Sequence, residues 1–286
     1  MGVKFVGQFL VDRGKISRVQ LLIAASYQKR HNLKFGERAK LMGFLTNEQI
    51  EKIHNEQRSI DLPFGEMAVR LGFLTENKFN RVLEEQKKNH VYLGQVLIEQ
   101  NAITESELEK ELEIFKKEQS VYEGQGYKIP EWVRYPNILN FTIDLTEKIC
   151  LRMGDVQLKI GEFYKPDDLL LNSDSAIILV PISGEIKAWY LFIVPYDLAT
   201  KMTCNIFHTS VSSDDKALII DGMKELANII MGNISAKSSE INCSLEIHPP
   251  DIIKADEINK KAGIIYSLYS TEEKIFTGLL WESYAL

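Results

Sequence analysis

A glycine recurs every 29 residues at the start of this chain, as Gly7, Gly36, Gly65 and Gly94. Seven residues after each stands Gly14, Gly43, Gly72 or Asn101. Ile16, Leu45, Leu74 and Ile103 come next, followed by Ser17, Thr46, Thr75 and Thr104. Gln28, Gln57 and Gln86 repeat as well, with Phe115 in the fourth place. A period held over four copies without slippage means one supersecondary unit used four times. In each unit a short helix runs from the first glycine, and Gly or Asn supplies the left-handed residue that ends it. Ser or Thr then caps a second helix. Three residues on stand Gln20, Gln49, Lys78 and Glu107, so three of the four units carry a full capping box. In the first unit Leu21, Ala24 and Ala25 form the expected buried side of that second helix. The prediction is an all-α array of four helix-turn-helix repeats over residues 1–119. A linker is expected over 120–135, marked by Gly124, Gly126 and Pro130.

From residue 136 onward the pattern is mixed. Asn137 to Leu151 is amphipathic and predicts a helix. Val156 to Phe163 alternates as a strand does. Ala176 to Ile182, Ser183-Gly184 and Glu185 to Val194 predict a hairpin of two apolar strands. Tyr196 to Phe207 predicts a helix, and a longer one follows over about Asp215 to Ser238. Cys243 to His248 predicts a strand ending at Pro249-Pro250. Gly263 to Ser270 and Lys274 to Glu282 predict a closing hairpin turning at Thr271-Glu272-Glu273. Strands and helices in this order make an α+β domain over 136–286, an antiparallel sheet with helices on one side.

The long helix carries the most specific signal. Ile219, Met223, Leu226, Ala227, Ile230, Met231 and Ile234 fall on one face. Asp221, Glu225, Asn228 and Gly232 fall on the other as a narrow polar stripe. Spacing alone fits an ordinary solvated helix. Yet Asn and Gly are poor helix formers, and Gly232 on the stripe points to something that approaches the backbone closely.

Charge divides unevenly. Residues 1–58 hold 11 basic and 5 acidic side chains, a net of +6, and residues 59–119 hold 8 and 12, a net of −4. Residues 120–286 hold 15 and 23, a net of −8, which does not suit DNA or RNA binding. Cys150, Cys204 and Cys243 are too few and too scattered for a disulfide framework or a zinc site. There is no phosphate-binding glycine loop of the Walker type and no nucleophile elbow. His208 and His248 lie far apart in sequence and are expected at the surface. No apolar window is long enough to span a membrane, the start lacks a signal-peptide run, and the cytoplasm is the expected compartment.

Asp221, Glu225 and Asn228 match in type and spacing the signature helix of the CheC/CheX/FliY chemotaxis phosphatases, with Pro249 and Pro250 following at slightly short spacing. The segment Glu-Leu-Ala-Asn-Ile-Ile-Met-Gly-Asn resembles the CheX branch, and the signature occurs once, as in CheX. The resemblance implies a CheX-like domain that hydrolyses the aspartyl phosphate of a CheY-like receiver and dimerises. It gives Asn228 the task of orienting the attacking water and Glu225 that of docking the regulator's invariant Lys. Asp221, Gly232, Asn233, Pro249 and Pro250 would touch or frame the partner. No cofactor of its own is implied, and Mg²⁺ is expected on the receiver.

The N-terminal repeat resembles the MshEN module of type II secretion and pilus ATPases, through Val6, Gly7, Leu10, Val11, Gly14, Ile16, Leu21, Ala24 and Gln28. That family binds cyclic di-GMP. The motif's leading Arg is replaced here by Phe5, Lys34, Pro63 and Tyr92. The positive balance of the first two units makes Gly7, Leu10, Gly14, Gln28, Lys34, Gly36 and Gly43 the candidate nucleotide residues. Three readings follow: a receiver phosphatase with a helical sensory domain, a docking module without hydrolysis, and an adaptor of a secretion or pilus system.

Overall fold

The structure, a computed structural model, describes residues 5–123, 127–169, 174–271 and 273–282. Residues 124–126 of the expected linker and Glu272 of the expected turn lie outside the described residues. Two compact units fall within Lys4–Val121 and Tyr122–Leu286.

The N-terminal unit holds the four repeats as helix pairs. They are α1 (Val6–Asp12) with α2 (Arg18–His31), α3 (Phe35–Leu41) with α4 (Asn47–Glu56), α5 (Phe64–Arg70) with α6 (Glu76–Lys88), and α7 (Leu93–Glu99) with α8 (Glu105–Glu123). Helix α8 thus continues past the expected limit at 119. Each short helix ends in a left-handed residue: φ is 66° at Gly14, 70° at Gly43, 72° at Gly72 and 53° at Asn101. The N–H groups of Gln20, Gln49, Lys78 and Glu107 donate to the Ser17, Thr46, Thr75 and Thr104 hydroxyls at 3.2, 3.3, 3.4 and 3.3 Å. The return bond of the capping box forms at Gln20, Gln49 and Glu107, at 2.8, 2.9 and 3.1 Å. Lys78 has no acceptor to offer.

The units do not pair in sequence order. Phe9, Leu10, Ile16 and Ala24 of unit one share a core with Val96, Leu97, Ile103, Leu108 and Phe115 of unit four. Ala39, Leu45 and Ile53 of unit two share a separate core with Met67, Ala68, Leu74 and Val82 of unit three. The recurring glutamines clamp these pairs. Gln28 donates its amide to the Val91 carbonyl at 3.0 Å, Gln57 to Leu62 at 2.7 Å, and Gln86 to Leu33 at 3.0 Å. The three acceptors are equivalent positions, each just before the N-cap of a unit's first helix. Where Ala24, Ile53 and Val82 are buried, the fourth unit has Glu111, only 4% exposed. Its carboxylate is neutralised across the pair by Arg13 and by Lys15 at 3.2 Å.

The 29-residue glycines are packing residues. A Cβ built on Gly36 would lie 2.8 Å from Phe64 Cζ, and one on Gly94 would lie 2.7 Å from Leu108 Cδ2. Gly7 is filled in the same way by Leu21 and Leu93. Ala25, expected inside, is exposed. Helix α2 packs toward α7 with Leu21, Ala24 and Tyr27 in or against the shared core, and Ala25 lies outside it.

The C-terminal unit opens with α9 (Pro136–Gly154), followed by β1 (Lys159–Tyr164), β2 (Ser175–Gly184), β3 (Ala188–Pro195), α10 (Tyr196–Phe207) and α11 (Lys216–Ser239). Then come β4 (Leu245–Ile247), β5 (Asp251–Ile252), the short α12 (Ala255–Ile258), β6 (Ala262–Tyr269) and β7 (Lys274–Trp281). Among the described residues the sheet runs β1-β6-β7-β3-β2-β4 with β5 also on β2, and every pairing is antiparallel. The β2–β3 turn falls at 185–187 rather than at Ser183-Gly184. Gly184, with φ 101°, stays in the strand because it pairs with Leu245 of β4.

Strand β2 is apolar from Ala176 to Ile182 because both sheet faces are covered. Ile178 and Val180 face the main core with α9, α10 and α11 residues such as Ile143, Ile149, Met202 and Met223. Ile177 and Leu179 face a second core with Leu191, Ile193, Ile265, Leu280 and Ile258 of α12. The long helices α9, α10 and α11 share one face of the sheet, as expected, and the short α12 adds cover on the other. No helix among the described residues is long and apolar enough to cross a membrane.

Candidate functional site

Helix α11 is fixed from several sides. Asp215 caps it, accepting the Leu218 N–H at 3.1 Å. Ile219, Met223, Leu226, Ala227, Ile230, Met231 and Ile234 are buried, as the periodicity predicts. Gly222 has no room for a side chain: a Cβ there would lie 2.6 Å from Thr203 Cγ2 of α10. On another side Lys237 bonds Asp144 of α9 at 3.0 Å. These contacts set the rotation of α11 about its axis, and hence what it shows to solvent.

What it shows is the stripe. Asp221, Asn228 and Gly232 are exposed and Glu225 is half-buried. At 100° per residue the four lie within a sector of about 60° and span about 16 Å along the axis. Among the described residues the Asp221 and Asn228 side chains have no hydrogen-bond partner in the chain. A carboxamide so placed keeps both its donor and its acceptor for an incoming group. Two carboxylates on the same lane suit a cationic contact. Among the described residues, nothing beyond the helix's own adjoining backbone lies within 4 Å of a Cβ built on Gly232, so this glycine opens a bare strip of helix backbone.

Asn233, expected to face a partner, does not. It is 4% exposed, and its amide donates to the Ile229 carbonyl at 2.8 Å. One residue beyond the stripe means a 100° turn toward the core. Pro249 and Pro250 lie between β4 and β5, where the pairing with β2 slips by one residue, from Ile182↔Ile247 to Ile178↔Ile252. They form a bulge that blunts this sheet edge, since proline donates no ladder bond. The predicted strand therefore continues past the prolines as β5. Ser235, which sequence reasoning missed, ties the far end of the stripe to this edge by donating to the Leu245 carbonyl at 2.9 Å. Its offset from Asp221 places it on the stripe, and that was the available signal.

The seven nucleotide candidates are not brought together as one surface. Leu10 is fully buried, and Gly7 and Gly36 are filled by neighbouring side chains. The Gln28 amide is spent on Val91. Lys34 is the exposed N-cap of α3, and Gly14 and Gly43 are exposed helix ends with open space at Cβ. The pairing of unit one with unit four puts Gly7, Leu10, Gly14 and Gln28 in one pair and Lys34, Gly36 and Gly43 in the other.

Residues 176–266 match the family model of the chemotaxis phosphatase CheX. The match begins in β2, contains all of α11 and ends in β6. Among solved structures, CheX from Desulfovibrio desulfuricans is similar at 15% identity with a TM-score of 0.40, over 50% of this chain and 99% of that chain. The CheX–CheY–BeF3–Mg complex from Borrelia burgdorferi gives 15% and 0.42, over 50% and 96%. FliY of Thermotoga maritima gives 11% and 0.40, over 52% and 88%. No curated protein matches the chain.

Proposed function

We propose that the C-terminal unit is a phosphatase for the aspartyl phosphate of a CheY-like receiver. The observation that carries this reading is the exposed lane of Asp221, Glu225, Asn228 and Gly232, lying inside the span that matches the CheX family model. In the reaction, water attacks phosphorus in line with the acyl oxygen, the P–O bond to the receiver's Asp breaks, and inorganic phosphate and a free carboxylate are released. This chemistry asks mainly for positioning. The Asn228 carboxamide accepts from the water through its oxygen and donates to a phosphoryl oxygen through its nitrogen. The Glu225 carboxylate meets a receiver cation and holds the register. Gly232, one turn on, leaves room for receiver backbone. Mg²⁺ belongs to the receiver in this scheme, and the chain supplies no metal ligand to it.

The N-terminal unit is proposed to be a packing and docking scaffold. The glycines that open its repeats and its recurring glutamines are consumed by packing within and between repeats, which favours this role over a nucleotide site.

The test follows acyl-phosphate decay on candidate CheY-like receivers with Mg²⁺. Wild-type protein accelerates the decay, and Asn228→Ala slows the catalysed rate by about 100-fold. Its thermal midpoint does not fall, because the side chain lost is exposed and without partners and alanine is the better helix former. Equal rates for wild type and variant would remove Asn228 from the mechanism. No acceleration on any receiver would leave the lane as a docking face.

A further inference from the structure

The four repeats supply their own control. At the second, fifth and sixth positions of the capped helix, unit two has Glu48, Glu51 and Lys52. Unit three has Asn77, Asn80 and Arg81, and unit four has Ser106, Glu109 and Lys110. All nine are exposed and polar. Unit one has Val19, Leu22 and Ile23 there, exposed at 65%, 57% and 53%. The fold does not require apolar residues at these places, since three units fold without them. Single exposed apolar residues need no explanation, but three adjacent ones at i, i+3 and i+4 make a continuous patch. Helix α2 also lacks any carboxylate, and the same exposed side carries Arg18 at one end with Lys29 and Arg30 at the other.

We propose that this face of α2 docks an amphipathic, acid-rimmed helix of another protein. The patch is about one and a half turns long, close to the width of a crossing helix. Its aliphatic residues provide the ridge, and the cations beyond each end meet carboxylates flanking the partner's apolar stripe. A second copy of this chain suits the face poorly. Two α2 helices laid antiparallel set Arg18 of one against Lys29 and Arg30 of the other, and laid parallel they set like against like. A lipid surface suits it less well too, because three aliphatic side chains without an aromatic anchor offer less apolar area than one myristoyl chain, itself a marginal anchor. This proposal is independent of the phosphatase reading, which concerns the other unit.

The test uses the full chain and a labelled synthetic helix of about 18 residues, with a leucine stripe flanked by glutamates. Two controls run beside it: the same peptide flanked by lysines, and vesicles of phosphatidylcholine with phosphatidylserine. The variant Val19→Glu, Leu22→Glu, Ile23→Lys installs the residues of unit two, so the helix and its cap are retained. Leu22→Asn, which installs the unit-three residue, is the gentler second variant. The glutamate-flanked peptide binds wild type at least about tenfold more tightly than either variant and than the lysine-flanked peptide binds. Circular dichroism and melting are unchanged in both variants. Equal binding to wild type and variants overturns the proposal. So does equal binding of the two peptides. Vesicle binding that the variants abolish, without peptide binding, would assign the face to a membrane instead.

Discussion

Two residues of α11 look alike in sequence and differ completely in circumstance. Gly222 is held against Thr203, whereas Gly232 faces open space. Gly232→Ala should therefore stabilise the protein by about 1 kcal/mol, the helix propensity difference, while Gly222→Ala should destabilise it. Paired melts with phosphatase assays separate two roles. If receiver backbone seats on Gly232, the alanine variant is the more stable enzyme and the slower one. Glu147 of α9 presents another residue-scale consequence. Burial, opposed by the Ile160 N–H it accepts and reinforced by the Asp144 charge, raises its carboxyl to about 7. An unfolded glutamate titrates near ~4.3. The folded value lies above the unfolded one, so the stability it contributes is complete below pH ~4.3 and is lost as pH rises through about 7. Glu147→Gln should accordingly gain up to about 3 kcal/mol at pH 8 and nothing at pH 4. Denaturant midpoints at the two pH values check this, and equal gains at both would contradict it.

At the scale of elements, Gln86→Ala strips the Leu33 carbonyl of its donor across the pair and should cost about 1–2 kcal/mol. Urea unfolding of the N-terminal unit measures it, and an unchanged midpoint would mean water replaces the clamp. The existence of these clamps shows where sequence reasoning stops. Helix starts and stops were legible in the repeat because caps act within a few residues: Ser17 with Gln20, or Gly14 with its φ of 66°. The identity of α11 and its buried face was legible for the same reason, since period 3.6 is local. Which unit pairs with which was not, because Gln28 meets Val91 at a separation no periodicity reveals. The same gap explains the candidate sites. Glycines equally suited to phosphates or to helix packing are told apart only by the side chain that arrives opposite them, Phe64 in the case of Gly36. Asp221, Glu225 and Asn228 lay on one helix and needed no long-range knowledge to be grouped, whereas the bulge at Pro249-Pro250 depended on a partner strand.

At the scale of the molecule, each unit has cores of its own and a charge of its own, −8 over residues 120–286 against +2 over residues 1–119. The repeats pair like nested brackets, with units two and three inside and units one and four outside. Nesting imposes an order of assembly. Of the two inner clamps, Gln57 on Leu62 closes across 5 residues and Gln86 on Leu33 across 53, whereas the outer clamp, Gln28 on Val91, spans 63. Loop closure favours the shorter first, and the finished inner pair then holds the outer helices near each other. Pulse-labelled hydrogen exchange should find amides of α4 and α5 protected before those of α2 and α7, and simultaneous protection would argue against it. The helix that carries Val19, Leu22 and Ile23 is thus among the last parts of its unit to close. During synthesis unit one leaves the ribosome before the other three repeats and then waits, without its packing partner, for unit four to be made.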